Sequence, residues 1–208
     1  PDLPPTTLAD YCYLNMVVVC TSLTTAPKLP ATELTEGCYC NMFNGCTLLT
    51  TAPELPATTL AKRCYSEMFE GCENLTKAPE LPATTLAESC CMYMFKGCTS
   101  LTVAPELPAT MLSIHCYSNM FYGCTSLTKA PELPATTLAG ICYGNMFYGC
   151  TKLNYIKCLA TDMSASGCVN NWVEGVSTTG TFVKHANATW STGVDGVPSG
   201  WTVEDAVL

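Results

Sequence analysis

Charge is what this sequence has least of. Only 12% of its 208 residues are Asp, Glu, Lys or Arg, about half the share usual in soluble domains. Basic residues are the scarcer kind, since nine Lys and Arg stand against 17 Asp and Glu and leave a net charge of −8. Binding to nucleic acid depends on clustered Lys and Arg that neutralise phosphates. The sequence therefore predicts no nucleic-acid partner.

Other absences exclude further classes. No apolar run approaches the ~20 residues of a membrane-spanning helix, so we expect no membrane insertion in this segment. There are two His residues, and no two Cys are separated by two residues, so the spacing of a zinc site is missing. No insertion interrupts the chain to form a pocket. We therefore expect no cofactor, no bound metal and no enzymatic activity.

Cysteine is abundant, and its spacing reveals a repeat. Thirteen of the 16 Cys fall into two series that share a constant 26-residue step. The first series is Cys12, Cys38, Cys64, Cys90, Cys116, Cys142 and Cys168. The second is Cys20, Cys46, Cys72, Cys98, Cys124 and Cys150. Leu23 begins a Leu series with the same step, and Pro30 begins a Pro series. A fixed period of this length is the signature of a stacked repeat architecture.

The period divides the chain into three parts. Residues 1–20 form a partial first turn, and residues 21–176 hold six 26-residue repeats, the last of them degenerate. Residues 177–208 leave the period; TGTFVK and SGWTVEDAVL within them resemble two short strands, which predicts a β-rich C-terminal cap. Terminal repeats of an array commonly depart from the consensus because they pass into a cap.

The fold class follows from the repeat. A period of 20–29 residues with a Leu-x-x-apolar segment is typical of a leucine-rich solenoid with one strand per turn. We therefore expect a right-handed repeat solenoid with one short parallel strand per turn. The LTKA segment is the predicted strand, and the following Pro, which lacks an N–H donor, limits its length. The CYxxMFxGC segment is expected to return along a single helical or 3₁₀ turn.

The repeats resemble a known family. MFYGCTSLTKAPELP and MFEGCENLTKAPELP are similar to the BspA-like leucine-rich repeats of Bacteroides surface proteins, which carry an AF-x-x-C-x-x-L core. Met here replaces Ala of AF, Cys of CY replaces an inward Ile, and the unit is a few residues longer. The likeness extends over roughly residues 3–176. It implies a secreted or cell-surface adhesion or binding protein, and it supplies no catalytic residues.

The two Cys series allow three interpretations. The thiols can act as small buried hydrophobic groups, which is a common role of free Cys. They can form a disulfide within each turn, such as Cys38–Cys46, which a secreted location would favour. Bridges between turns are disfavoured because in-register side chains point the same way, and metal binding lacks the spacing it needs. Cys116 next to His115 is one member of a series and not a predicted nucleophile.

Variation between turns marks candidate ligand-binding residues, because stacking places equivalent residues in rows ~5 Å apart. Glu54, Glu80, Glu106 and Glu132 form one acidic row. Lys77, Lys129 and Tyr155 follow the strand Leu by two positions, and the two Lys are placed to relieve repulsion within the Glu row. The row is either a solvated face or a binding strip. Tyr122 and Tyr148 occur in successive turns and either contact a sugar or protein ligand or cover the seam between turns.

Two functions remain open. The first is an extracellular or bacterial cell-surface recognition solenoid that binds a host protein, a matrix component or a glycan. The alternative is a structural spacer in a larger adhesin or phage-type fibre, with no ligand of its own. The scarcity of charge also leaves self-association open.

Overall fold

A computed structural model describes residues 7–207 of the chain. The 26-residue repeats lie one against the next, so that equivalent residues of neighbouring repeats are side by side. Thr25 pairs with Thr51, Lys77 with Val103 and Lys129 with Tyr155, each in a parallel bridge. The Phe rings of successive repeats are also stacked, with centroids 5.6–5.8 Å apart. Residues that are 26 positions apart in the sequence are thus neighbours in the structure.

Regular strands occur at the C-terminal end of the stack. They are β1 (Tyr155–Cys158), β2 (Thr181–Lys184) and β3 (Thr202–Asp205), which form a parallel sheet in the order β1-β2-β3. The earlier LTKA segments, each expected to be a strand, have only single bridges or none among the described residues. The physical reason is proline. Lys157 occupies the position held by Pro53, Pro79, Pro105 and Pro131, and only Lys157 has an amide to donate to a ladder.

The C-terminal tail contains β2 and β3, which lie within TGTFVK and SGWTVEDAVL, the two segments expected to be short strands. Tyr155 of β1 pairs with Thr181 of β2, so the distance along the chain between these two strands is still one repeat step. The step then shortens, since Thr181 pairs with Thr202 of β3 before a full repeat has passed. The tail thus lacks the Cys, Leu and Pro markers of the repeat, while its backbone continues to stack.

The segments that carry the Cys, Met and Phe residues are chains of β-turns and not the predicted helical or 3₁₀ turns. We call them return limbs, and they comprise residues 10–20, 36–46, 62–72, 88–98, 114–124, 140–150 and 166–176. In the limb 36–46, every second amide donates to the carbonyl three residues earlier, as Cys40 does to Gly37. Every fourth residue has a positive φ, here Gly37, Asn41 and Gly45, and this keeps the chain from continuing as a helix.

The other amides of each return limb join it to the next limb. Gly37, Tyr39, Asn41, Phe43 and Gly45 donate to carbonyls of the limb 62–72, over distances of 2.7–3.1 Å. The same five positions make the same bonds at each of the six junctions between successive limbs. From the second residue onward, every backbone donor of the first six limbs is therefore satisfied, either locally or by the neighbouring limb, as a buried backbone requires.

Rows of apolar side chains fill the interior between the return limbs and the strand side. Phe43, Phe69, Phe95, Phe121 and Phe147 are fully buried and form one stacked row. A second row contains Tyr13, Tyr39, Tyr65, Tyr117 and Tyr143. Cys91 replaces Tyr in the fourth limb and interrupts this row, and the buried hydroxyl of Tyr65 beside it has no hydrogen-bond partner among the described residues. The core is thus nearly, but not fully, periodic.

The C-terminal end of the stack is covered. Trp172 is buried, stacks on Trp190 at 5.4 Å and meets Phe182 edge-on. Its indole N–H donates to the carbonyl of Gly196 over 2.9 Å. The amide of Val173 donates to Val194, and the amide of Asn171 donates to the carboxylate of Asp195. Residues 190–197 thereby occupy the place that a further return limb would take.

The positive φ at the end of each limb makes a prediction about stability. Gly97 has φ of +73°, and a Cβ added there would lie 3.7 Å from the amide N of Gly71, an ordinary contact. We expect Gly97→Ala to lower the free energy of unfolding by about 1–2 kcal/mol, through backbone strain alone. Val19, with φ of +56°, occupies the equivalent position of the first limb, so Val19→Gly should leave stability unchanged or raise it. Urea titration checks both, and an equal loss in both variants would contradict this account.

Candidate functional site

The acidic row and its neighbours occupy one side of the stack. We call this surface the strand-edge strip, and it consists of Glu54, Glu80, Glu106, Glu132, Lys77, Lys129 and Tyr155. All four Glu residues are exposed, as are Lys77 and Lys129, while Tyr155 is half-buried at the start of β1. The alternation in LTKAPELP places Leu and Ala inward, and it leaves the charged positions facing solvent. The structure thus brings these predicted residues together on one face.

Two grooves run along this strip. The larger has a volume of about 610 Å³ and lies between two Pro-containing segments, with Pro53 and Pro79 among its lining residues. Glu54, Lys77 and Glu80 border it. The second has a volume of about 360 Å³, and Glu106, Lys129, Glu132, Tyr155 and Lys157 border it. Every residue predicted for the strip therefore lines one of the two grooves.

The charges of the strip are paired in alternate turns. Glu80 lies 3.5 Å from the ammonium group of Lys77, and Glu132 lies 3.0 Å from that of Lys157. Glu54 and Glu106 take part in no ion pair among residues 7–207. Exposed pairs of this kind contribute little to stability, roughly 0–1 kcal/mol each. Each groove consequently presents one paired and one unpaired carboxylate.

The partner of Glu132 differs from the expected one. Lys129 is predicted to relieve the charge repulsion within the acidic row. Its ammonium group instead lies over the ring of Tyr155, 5.2 Å from the centroid, as in a cation–π contact. Lys157 pairs with Glu132 instead, and Lys157 was not among the predicted site residues. The available signal was its position, because Lys157 replaces the Pro that follows the strand segment in the earlier repeats, such as Pro131.

Tyr122 and Tyr148 lie elsewhere, on neighbouring return limbs. Their rings are parallel and 4.7 Å apart, and neither lines a groove of the strip. They follow Glu70 and Lys96 in the same row. The charged groups of Glu70 and Lys96 are 2.9 Å apart, and the Lys96 ammonium group lies 6.0 Å from the Tyr122 ring centroid. The hydrogen bond to Glu70 raises the pKa of Lys96. The Tyr pair thus lies on two neighbouring limbs, apart from the strip.

All sixteen Cys residues lie within the described chain, and all are free thiols. Fourteen are buried, while Cys12 is exposed and Cys20 is half-buried. Members of the second series donate to the carbonyl of a Phe in the preceding limb, such as Cys72 to Phe43 over 3.2 Å and Cys98 to Phe69 over 3.1 Å. These thiols are therefore weak donors between limbs as well as small apolar groups.

Burial favours the neutral form of the core thiols. It raises the pKa of Cys72, Cys142 and Cys150 to about 12 and that of Cys38 to about 11. The pKa of Cys116, next to His115, is also raised well above its usual value by burial. Because the thiolate is the reactive form of Cys, thiols that burial holds neutral should react slowly with alkylating reagents.

Within residues 7–207, no three His, Cys, Asp or Glu side chains gather in a way that would hold a metal ion. In the same residues, no helix is long and apolar enough to cross a membrane. Comparisons with known protein families, with curated proteins and with solved structures find no match for this chain. The resemblance to BspA-like repeats thus rests on the repeat residues alone.

The thiol arrangement predicts a labelling pattern. Under native conditions at pH 8, we expect an alkylating reagent to modify Cys12 and Cys20 rapidly and the fourteen buried Cys far more slowly. In denaturant without reductant, all sixteen should react, which intact-mass measurement will show. A denatured chain that gains markedly fewer labels would mean that the turns carry disulfides.

The raised thiol pKa values also predict the pH dependence of stability. Between about pH 9 and pH 12, Cys72, Cys142 and Cys150 keep their protons in the fold but lose them in the unfolded chain. Stability is complete below this range and falls as pH rises through it, by up to about 1.4 kcal/mol per pH unit for each thiol. Urea midpoints measured from pH 7 to 10.5 should therefore decline steeply above pH 9.

A matched pair of variants tests whether the buried thiols cause the loss of stability at alkaline pH. Cys150→Ala should make the alkaline decline shallower, whereas Cys12→Ser, at the exposed end, should leave its slope unchanged. Equal slopes in the two variants would mean that the buried thiols do not control the alkaline transition.

Proposed function

We propose that the chain is an extracellular or cell-surface recognition solenoid, similar to the BspA-like leucine-rich repeats, that binds a protein or glycan ligand along its strand-edge strip. The observation that carries this proposal is the pair of open grooves on one face, each bordered by an unpaired carboxylate. Unpaired Glu54 and Glu106 are available to hydrogen-bond donors and cations of a ligand. Exposed Val103 and half-buried Tyr155 supply apolar surface in the groove that Glu106 borders, which suits sugar rings and protein side chains.

An extended ligand fits this surface better than a compact one. The two grooves follow one another along the stack and are lined by the same residue types, so contacts of the same kind recur along the face. Stacked repeats commonly use such extended faces for binding.

A structural spacer is the second candidate function. It is favoured by the uniform backbone bonding between return limbs, which joins the repeats into one continuous stack. A spacer needs this continuity and needs no particular residue on the strip.

The experiment that separates these functions is a binding screen against glycan and host-matrix arrays with three proteins. The first is the unchanged chain, and the second is Glu54→Gln/Glu106→Gln. The third is the control Glu33→Gln/Glu73→Gln, which removes the same charge at exposed positions that line neither groove. We expect a ligand whose binding weakens about tenfold or more in the second protein and stays unchanged in the control.

Other outcomes decide against the strip. A ligand retained by the strip variant but lost by Tyr148→Ala would move the site to the Tyr122–Tyr148 pair. Equal loss in strip variant and control would indicate binding by net charge. No ligand across broad arrays, together with tolerance of a deleted repeat, would favour the spacer.

A further inference from the structure

The groove that Glu106 borders also contains a cation outside any ion pair. Glu106 is exposed and takes part in no ion pair within residues 7–207. Lys129 lines the same groove, is also exposed, and is absent from the ion pairs of that part of the chain. The groove therefore presents one unpaired carboxylate and one unpaired ammonium group, which do not pair with each other.

The ammonium group of Lys129 lies against an aromatic ring but keeps its hydrogen-bond donors. It is 5.2 Å from the centroid of the Tyr155 ring. A cation–π contact of this kind uses the face of the ring and no acceptor atom, so the N–H groups of the ammonium remain available. Lys77 and Lys157, by contrast, lie 3.5 and 3.0 Å from a Glu carboxylate. Lys129 is thus the cation of the strip that an anionic group of a ligand can reach.

Apolar surface lies on both sides of this cation. Val103, Lys129 and Tyr155 occupy one row in successive turns, since each is 26 residues from the next. Lys129 and Tyr155 also join in a parallel bridge. Val103 is 50% exposed, and Tyr155 is half-buried. A ligand in the groove therefore meets apolar side chains next to the two unpaired charges.

The charges of the groove favour one class of ligand. Its other acid, Glu132, is paired with Lys157, so Glu106 and Lys129 leave the groove without net charge. Glu106 would repel a ligand that has acidic groups only, and Lys129 would repel one that has basic groups only. A neutral sugar would give neither residue a charged partner. A polypeptide segment that carries one acidic and one basic side chain satisfies both.

We infer that the groove bordered by Glu106 binds a polypeptide segment whose basic side chain pairs with Glu106 and whose acidic side chain pairs with Lys129. A neighbouring apolar side chain of the segment covers Val103. This inference rests on the proposed function, because it names the ligand class for one of the two grooves of the strip. It goes further in assigning Lys129 a role in selecting the ligand.

The test measures the binding of short fluorescent peptides by anisotropy. All peptides share one background of Thr and Val, and they carry one Lys and one Glu, two Lys, or two Glu, with the spacing of the charged residues varied. The unchanged chain is compared with Glu106→Lys and Lys129→Glu. The controls Glu73→Lys and Lys152→Glu make the same charge changes at exposed positions that line neither groove. Thermal midpoints check that each variant is folded.

For the unchanged chain, we expect a mixed peptide at its best spacing to bind at least about threefold more tightly than either like-charged peptide. General attraction to a chain of net charge −8 would instead favour the peptides with two Lys. Glu106→Lys should shift the preference to peptides with two Glu, and Lys129→Glu should shift it to peptides with two Lys. Both controls should keep the preference for mixed peptides.

Several results would overturn the inference. One is that the unchanged chain binds two-Lys peptides as tightly as mixed ones. Another is that the groove variants keep the original preference, or that the controls shift it equally. Glycan binding that weakens in Glu54→Gln/Glu106→Gln, without binding of mixed peptides, would overturn this inference and support the proposed function. Absence of binding to both the peptides and the arrays would contradict both.

Discussion

The alternating use of backbone amides in the return limbs is the interaction on which the rest of the structure depends. One amide closes a turn within the limb, and the next bonds to the neighbouring limb, as Cys40 and Tyr39 do in the limb 36–46. This arrangement satisfies the buried backbone without a helix and with only short strands. It also fixes the step between limbs, which brings the Phe rings into their stack at 5.6–5.8 Å. Side-chain rows and surface strips follow from that step.

Much of this organisation was predictable because the repeat is explicit in the residues. The Cys, Leu and Pro series gave the stacking period, and the Glu row placed the strip on one face. The conformation of the return limb was not predictable in the same way. Cys38, Met42 and Cys46 are spaced by four residues, as on a helix, and the same spacing arises when every fourth residue has a positive φ. Arg63 and Ile141 adopt that conformation although their side chains give no sign of it.

The ion-pair partners within the strip could not be predicted from the sequence either. The repeat predicted which residues share a face, but the choice of partner depends on side-chain reach. The ammonium group of Lys129 lies over the ring of Tyr155, and that of Lys157, from the neighbouring turn, pairs with Glu132. Degenerate positions such as Lys157 carry this information because they break the pattern. Here the residue that replaced a proline both permits β1 and completes an ion pair.

Because the Glu residues are paired in alternate turns, the unpaired carboxylates repeat at a longer interval than the backbone. The backbone repeats at every turn, but Glu54 and Glu106, the carboxylates outside the ion pairs, are two turns apart. Two turns correspond to about 10 Å, taking a spacing of ~4.8 Å between neighbouring chains. A polymer that engaged both carboxylates would therefore need matching groups at about that interval, which in a polypeptide is close to the length of three extended residues. The spacing between the unpaired carboxylates is therefore twice the spacing between neighbouring repeats.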